Sequence, residues 1–224
     1  SRLRFYGPSP TPTYNKAEKV FVKSSNGHLF ALSNETDISD TASLEFNGNI
    51  VCRASWYIDR QIEFSLLFWI HGCSINATEQ QTIASTLSPD HTGGWELFIN
   101  TSGFLCIQRE NGDTLETEIQ NFDYNIVDDT SSTWKYVGIV MHEFKCILYI
   151  DSIYKSEVIF SKTYTDRKEW NNTTLILGGH SDSNNYNRYL NAGTKIDELS
   201  FYNRAMQSIE IKSMYNIYTL DFIV

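Results

Sequence analysis

Two apolar runs in the middle of the chain, Lys135-Tyr136-Val137-Gly138-Ile139-Val140-Met141 and Cys146-Ile147-Leu148-Tyr149-Ile150, indicate the fold class. Both mix alternation of apolar and polar residues with continuous apolar stretches, which is typical of central strands covered on both faces. Similar β-rich runs recur along the chain at intervals of about ten residues, from 19–23 to 195–202, with turn pairs such as Asn47-Gly48 between them. The sequence therefore predicts an all-β protein, an antiparallel sandwich or barrel.

One helix is predicted, near the C-terminus. Ser208 is the expected N-cap and Glu210 lies in the first turn. Ile211, Met214 and Tyr215 recur at helical spacing, which places them on one face. We expect this face to pack on the sandwich.

Composition and charge exclude several classes of protein. The chain is 41% hydrophobic and 14% aromatic with only 4 Pro, which is typical of a folded domain rather than a disordered, collagen-like or coiled-coil chain. Its 18 basic and 27 acidic residues give a net charge of −9, so nucleic acid is not an expected partner. The longest apolar stretch, 64–70, is far shorter than the roughly 20 residues of a membrane span, so no membrane insertion of this segment is expected.

The domain organisation follows from the distribution of proline. Residues 1–17 contain Pro8, Pro10 and Pro12, which predicts an extended N-terminal arm or linker. Residues 18–224 are predicted to form a single domain. The sequence opens with neither Met nor an apolar signal region, so we expect a mature form or a segment taken from a longer chain. We also expect it to be part of a larger protein.

The cysteines and glycosylation acceptors favour an extracellular or cell-surface setting. The even number of cysteines permits two disulfides, with three possible connectivities among Cys52, Cys73, Cys106 and Cys146. The alternative is that Cys106 and Cys146 are small buried apolar residues in strands. The N-x-[ST] pattern of N-glycosylation occurs at Asn34, Asn76, Asn100, Asn171 and Asn172.

The order of the segments resembles the concanavalin A-like lectin and glucanase superfamily, specifically its laminin G-like and pentraxin-like jelly rolls. The resemblance covers residues 42–216 and includes an Ile196-Asp197-Glu198 strand motif followed by a short terminal helix. The segments that carry it are 42–49, 64–70, 131–138, 147–152, 175–179, 195–206 and 209–211. It implies an antiparallel β-sandwich of the jelly-roll type with one short C-terminal helix.

The chain also resembles a second group of proteins, the clostridial neurotoxins, and this resemblance is expected to be more distant than the first. The receptor-binding half of clostridial neurotoxins contains a similar jelly roll, but a trefoil follows it there, and we find none in this sequence. Jelly rolls of this kind serve as lectins, adhesion modules, enzymes and assembly domains, so the function has to be argued from sites.

Catalysis is not expected, and no catalytic residue is predicted. A glycoside hydrolase needs two carboxylates across the scissile bond. Family glucanases place them in a Glu-x-Asp-x-x-Glu strand, a string that does not occur in this chain. Asp197 and Glu198 are adjacent, so they are expected to point to opposite faces of a strand.

Calcium is a candidate ligand by resemblance to pentraxin-like and some laminin G-like domains, which use carboxylates and amides in loops. Asp90 and Asp182 lie in loops at the corresponding places. His180 and Ser181 stand where such a site would have Glu and an amide, and the alternative is ordinary solvated turns. No cofactor is otherwise required.

The leading hypothesis for function is a noncatalytic recognition or adhesion module, lectin-like, that binds a glycan or an extracellular protein through edge loops. Sugar binding would use an aromatic face together with polar side chains. The candidates are Asn184, Asn185, Tyr186, Arg188 and Tyr189, together with Trp170. The alternatives are a structural assembly domain of a larger surface or secreted complex and, more remotely, a glycoside hydrolase.

Overall fold

The computed structural model describes residues 22–24, 32–33, 43–48, 51–54, 63–87, 93–111, 116–161, 175–179, 188–202 and 204–220. These residues form fourteen strands and two helices. Their bounds are β1 Val22–Ser24, β2 Leu32–Ser33, β3 Ser43–Glu45, β4 Cys52–Ala54, β5 Phe64–His71, β6 Gln81–Ser85, β7 Gly93–Ile99, β8 Phe104–Asn111, β9 Glu116–Asn125, α1 Ile126–Thr130, β10 Lys135–Met141, β11 Lys145–Ile150, β12 Ile153–Ile159, β13 Leu175–Leu177, β14 Lys195–Tyr202 and α2 Ser208–Leu220. The predicted N-terminal arm lies outside the described residues.

The strands form two antiparallel sheets of seven strands each. The first, called sheet I, has the order β1-β4-β13-β6-β7-β8-β9, and the second, called sheet II, has the order β12-β11-β10-β5-β14-β3-β2. This arrangement confirms the predicted antiparallel sandwich of the jelly-roll type.

The core lies between the two sheets and follows the alternation of the strands. Phe64, Leu66 and Phe68 of β5 point into it from sheet II, and Trp95 and Leu97 of β7 point into it from sheet I. The rings of Phe64 and Trp95 stack with their centroids 4.7 Å apart. Since successive side chains of a strand point to opposite faces, the residues between these lie on the outer faces of the sheets.

Helix α2 covers part of the outer face of sheet II, as the helical spacing predicted. Ile211 is fully buried against Leu67 and Tyr136, and the ring of Tyr215 stacks on that of Trp69 with centroids 5.8 Å apart. The strands β5 and β10 are therefore covered on both faces.

The start of α2 differs from the prediction. The helix begins at Ser208 itself, so this residue is not the cap that precedes it. Instead, the carboxylate of Glu210 accepts the N–H of Gln207 at 2.8 Å. A carboxylate in the first turn that accepts the N–H of the cap residue is one half of a capping box.

Helix α1 was not predicted from the sequence. Its N-cap is Asn125, whose side chain accepts the N–H groups of Val127 and Asp128. A helix of 5 residues is too short to show helical periodicity, so only this local capping could have indicated it. None of the described helices is long and apolar enough to cross a membrane.

The predicted disulfides are not confirmed, because the described cysteines form none. Cys73, Cys106 and Cys146 are free and buried, and either of two bonds among four cysteines would need at least one of them. Cys106 lies on β8 and its thiol donates to Asn121 Oδ1 at 2.8 Å, whereas Cys146 faces the core from β11 in the other sheet. Burial raises the pKa of Cys73 and of Cys106 to about 12. The alternative of small buried apolar residues is the one confirmed.

The packing of α2 can be tested with two isoleucines of the same helix. Ile211→Ala should lower the free energy of unfolding by about 3 kcal/mol, because it leaves a cavity between the helix and sheet II. The matched control is Ile209→Ala, at a position that is 63% exposed, which should change it by less than about 0.5 kcal/mol. Urea unfolding measures both, and equal effects would contradict the packing.

Candidate functional site

Residues 188–191, called the anchored segment, lie beside the start of β6 and just beyond the end of β13 in sheet I. The N–H of Thr82 in β6 donates to the carbonyl of Arg188 at 2.9 Å. The N–H of Leu190 donates to the carbonyl of Gly178, directly after β13, at 3.2 Å. The backbone of the anchored segment is therefore fixed by two neighbouring strands.

The end of the anchored segment is held by side chains as well. The N–H of Asn191 donates to Gln81 Oε1 at 3.0 Å, and Asn191 Nδ2 donates to the Ser74 hydroxyl at 2.8 Å. Gln81 Nε2 in turn donates to the Ser74 carbonyl at 2.7 Å. These bonds tie the segment to the loop between β5 and β6.

Arg188 carries the charge of the anchored segment and is oriented by a buried carboxylate. Its Nη1 lies 3.2 Å from Glu96 Oε2, and Glu96 Oε1 also accepts the hydroxyl of Thr82. The side chain of Arg188 is 39% exposed while that of Glu96 is fully buried. One nitrogen of the guanidinium is thus fixed, on a side chain that is partly exposed to solvent.

The carboxyl group of Glu96 has an unusual electrostatic setting. Burial raises its pKa to about 7, since a charged group loses hydration inside the protein. The Thr82 hydroxyl and the Arg188 charge act against this rise, and the nearby Glu110 adds to it. Gln108 Nε2 donates to Glu110 Oε1 at 3.4 Å.

Glu96 and Glu110 form a carboxylate pair that the sequence did not reveal. Trp95 and Leu97 face the core, so Glu96 lies on the outer face of sheet I. In the register of β7 and β8, Glu96 is opposite Gln108, which makes Glu110 its diagonal neighbour on the same face. Diagonal neighbours are about 7–8 Å apart at Cα. The glucanase pattern has both carboxylates on one strand, whereas here the register of two strands brings them together.

This pair differs from a hydrolase cleft in its exposure. Glu96 is fully buried and Glu110 is 3% exposed, so neither carboxyl group is open to a polysaccharide. The signal that could have found Glu96 is a lone charged residue in the apolar run Trp95-Glu96-Leu97-Phe98-Ile99. The chemistry that the arrangement supports is the orientation of Arg188.

Tyr189 is half-buried rather than freely exposed. A Cβ atom at Gly179 would lie 3.6 Å from the Tyr189 ring and only 1.8 Å from Val51 Cγ1. The absence of a side chain at Gly179 therefore lets Val51 approach the end of β13, and the Tyr189 ring lies nearby. Of the predicted ligand-binding residues, Asn184, Asn185, Tyr186 and Trp170 lie outside the described residues.

Two predicted glycosylation acceptors lie in surface turns. Asn76 Oδ1 accepts the hydroxyl of Thr78 at 2.9 Å, and Asn100 Oδ1 accepts the N–H groups of Ser102 and Phe104 at 2.9 and 3.0 Å. Modification at both positions stays a prediction. The other acceptors, Asn34, Asn171 and Asn172, lie outside the described residues.

Asp197 and Glu198 lie at an irregularity of β14. The register with β5 shifts between Asp197 and Ser200, and Asp197 Oδ1 accepts the N–H of Glu198 at 2.7 Å. The simple alternation that the sequence predicted for this pair is therefore interrupted by a bulge.

The predicted calcium ligands Asp90 and Asp182 lie outside the described part of the chain. Within the described part, no group of three or more His, Cys, Asp or Glu side chains could hold a metal ion. The calcium hypothesis therefore rests on the sequence.

Comparison with known proteins identifies a family. The model of the concanavalin A-like lectin/glucanases superfamily matches residues 39–212. No curated protein has a matching sequence.

Several solved structures have a similar fold at low sequence identity. The binding domain of botulinum neurotoxin DC, solved in complex with rat synaptotagmin II, has a TM-score of 0.64 and 14% identity, over 97% of this chain and 52% of that chain. Botulinum neurotoxin type C, whose cell entry depends on interaction with two ganglioside molecules, has a TM-score of 0.65 and 14% identity, over 97% and 51%. The binding domain of Paraclostridial Mosquitocidal Protein 1 has a TM-score of 0.59 and 16% identity, over 89% of this chain and 52% of that chain.

These likenesses show the fold. The chain spans about half the length of each of these structures. The sequence motifs indicated only a distant resemblance to the neurotoxins, yet the type C and DC structures match almost the whole chain in shape.

The charge state of Glu96 predicts a dependence of stability on pH. Its folded-state pKa of about 7 exceeds the ordinary value of 4.5, so the folded protein binds more protons than the unfolded chain between these values. The free energy of unfolding should therefore fall as the pH rises from 4.5 to 7, by up to about 3 kcal/mol. Glu96→Gln should remove this fall in urea unfolding, whereas Glu79→Gln, on an exposed loop, should retain it. An unchanged slope in Glu96→Gln would contradict the assignment.

Proposed function

The chain belongs to the concanavalin A-like lectin/glucanase superfamily, and from this premise we propose that it is a noncatalytic recognition module that binds a glycan or a protein partner at one edge of the sandwich. The observation that carries the proposal is the fixed geometry of the anchored segment. A site that is ordered before binding loses less entropy when the ligand arrives. The exposed side of Arg188 is presented on such a segment.

The chemistry of Arg188 fits a glycan or an acidic partner. A guanidinium offers several N–H donors in a rigid plane, which suits sugar hydroxyls and carboxylates. Tyr189 adds an aromatic side chain beside it, and Asn184, Asn185, Tyr186 and Trp170 are proposed to complete the site. Interaction of botulinum neurotoxin type C with gangliosides and the synaptotagmin complex of neurotoxin DC agree with either kind of partner.

The two carboxyl groups near Arg188 support a noncatalytic role. Glu96 and Glu110 are neighbouring carboxyl groups, as a hydrolase requires, but both are buried, and Glu96 is engaged by Arg188 and Thr82. We propose that recognition requires no cofactor, with calcium at Asp90 and Asp182 as the exception to test. We further propose that the module is extracellular or on the cell surface, as part of a larger protein.

A structural assembly domain is the alternative function. It is favoured by large apolar side chains that are exposed on β12, among them Ile153 and Ile159. Exposed apolar side chains on one strand are typical of contact surfaces between proteins. This alternative uses a different edge of the molecule from the anchored segment.

The recognition proposal is tested by direct binding. The protein should bind members of a panel of immobilised oligosaccharides, or vesicles that contain gangliosides in preference to phosphatidylcholine vesicles. Arg188→Ala should weaken that binding about tenfold, the scale of a lost charged hydrogen bond. Lys212→Ala, an exposed cation on α2, is the matched control and should bind like the unaltered protein. Equal binding by both variants would contradict a role for Arg188.

The proposal that recognition requires no cofactor has its own test. Binding should be the same in EDTA and in about 1 mM calcium, and the melting temperature should not change. A rise with calcium that Asp90→Ala or Asp182→Ala abolishes would overturn this statement and assign a calcium site to these loops.

A further inference from the structure

The edge strand β12 exposes three large side chains to solvent. Ile153, Tyr154 and Ile159 are 63%, 53% and 62% exposed. On its inner side the strand is held to β9, since the Ser156 hydroxyl accepts the N–H of Asp123 at 3.2 Å. Among the described strands, β12 is the last on its side of sheet II, so one edge of its backbone is not paired within the sheet. Such an edge is a template for pairing with another chain.

The backbone groups that face outward can be identified from the register. The N–H of Phe160 donates to the carbonyl of Phe144 at 2.7 Å, which makes these two residues a hydrogen-bonded pair. Because hydrogen-bonded pairs alternate along an antiparallel ladder, the N–H and C=O groups of Glu157 and Ile159 point away from β11. Lys155 is the extra residue of a bulge and has no partner in the register with β11.

The sequence of this edge is complementary to itself. Read antiparallel about Ser156, the strand Ile153–Ile159 gives complementary pairs next to its centre. The bulge at Lys155 puts Ile153 and Ile159 on opposite faces of the sheet, so the apolar ends take no part in this pairing. Next to the centre the strand places Lys155 opposite Glu157, and symmetry repeats this ion pair. We propose that β12 pairs with β12 of a second copy of this chain, antiparallel about a two-fold axis at Ser156, and so joins two copies of sheet II.

The charges make this pairing selective. A bulge and charged side chains on an edge strand normally prevent pairing with other strands. In the two-fold register each charge meets its opposite, and cross-strand ion pairs stabilise a sheet whereas like charges destabilise it. The residues that repel most strands therefore favour a second copy. An interface of this kind is isologous, as in most homodimers.

The test is a charge exchange followed by sedimentation equilibrium. The unaltered protein should show a concentration-dependent equilibrium between monomer and dimer. Lys155→Glu and Glu157→Lys should each weaken the dimer by about tenfold, because each puts two pairs of like charges in contact. Both side chains are exposed, and the ion pair of Glu157 Oε2 with Lys145 Nζ at 3.8 Å is a surface pair that contributes little to stability, so the fold should be retained. Lys212→Glu and Glu79→Lys are matched controls and should dimerise like the unaltered protein.

The decisive sample is an equimolar mixture of the two single variants. In the proposed register, the acidic side chain introduced at position 155 of one variant meets the basic side chain introduced at position 157 of the other. The second cross-strand pair in this mixed dimer is the unaltered Glu157 with the unaltered Lys155, so the mixture should recover the dimer. The double variant Lys155→Glu with Glu157→Lys should recover it as well. A monomeric unaltered protein, or a mixture that stays as weak as its components, would overturn the proposal.

Discussion

Burial of β5 on both faces is the constraint on which the rest of the fold depends. Every residue from Phe64 to Ile70 is buried. One set of side chains faces the core between the sheets, and Leu67 and Trp69 face the layer under α2. A fully buried large side chain contributes roughly 1.5–3 kcal/mol of hydrophobic free energy. Exposure of either set would therefore strongly destabilise the fold. A shift of one residue in register would exchange the two sets, which explains why β10, β14 and α2 are all fixed relative to this strand.

The fold was predictable because it depends on patterns that single segments carry. Alternation in β10 and β11 showed which strands are central, and the spacing of Ile211 and Tyr215 showed which face of α2 is buried. Details that depend on pairs of segments were not predictable. An even number of cysteines says nothing about their positions, and Cys106 and Cys146 belong to different sheets. In the same way, Glu96 and Glu110 are neighbours because of the register between β7 and β8, and the sequence alone does not show that register.

The candidate site shows why a buried charge can be retained at a cost in stability. Removal of a carboxylate from water costs several kcal/mol, and partners offset this only in part. For Glu96 the partners are the Thr82 hydroxyl and Arg188, and its pKa remains raised, which indicates that the offset is incomplete. What the arrangement secures is position, because Arg188 is held at the start of β6 by its backbone and at Glu96 of β7 by its side chain. A hydrophobic replacement of Glu96 would leave the guanidinium without this orientation.

The two proposed surfaces are independent because they lie on different sheets. The anchored segment bonds to β6 and to the end of β13 inside sheet I, whereas β12 is an edge of sheet II. Pairing through β12 therefore needs no rearrangement of Arg188 or Glu96, and the anchored segment is unchanged in both copies. Two linked sites bind a surface that carries many copies of a ligand more tightly than one site does, without any new contact to the ligand. A modest affinity at the anchored segment, which offers few charged groups, is therefore compatible with firm attachment of the dimer to a glycan-bearing surface.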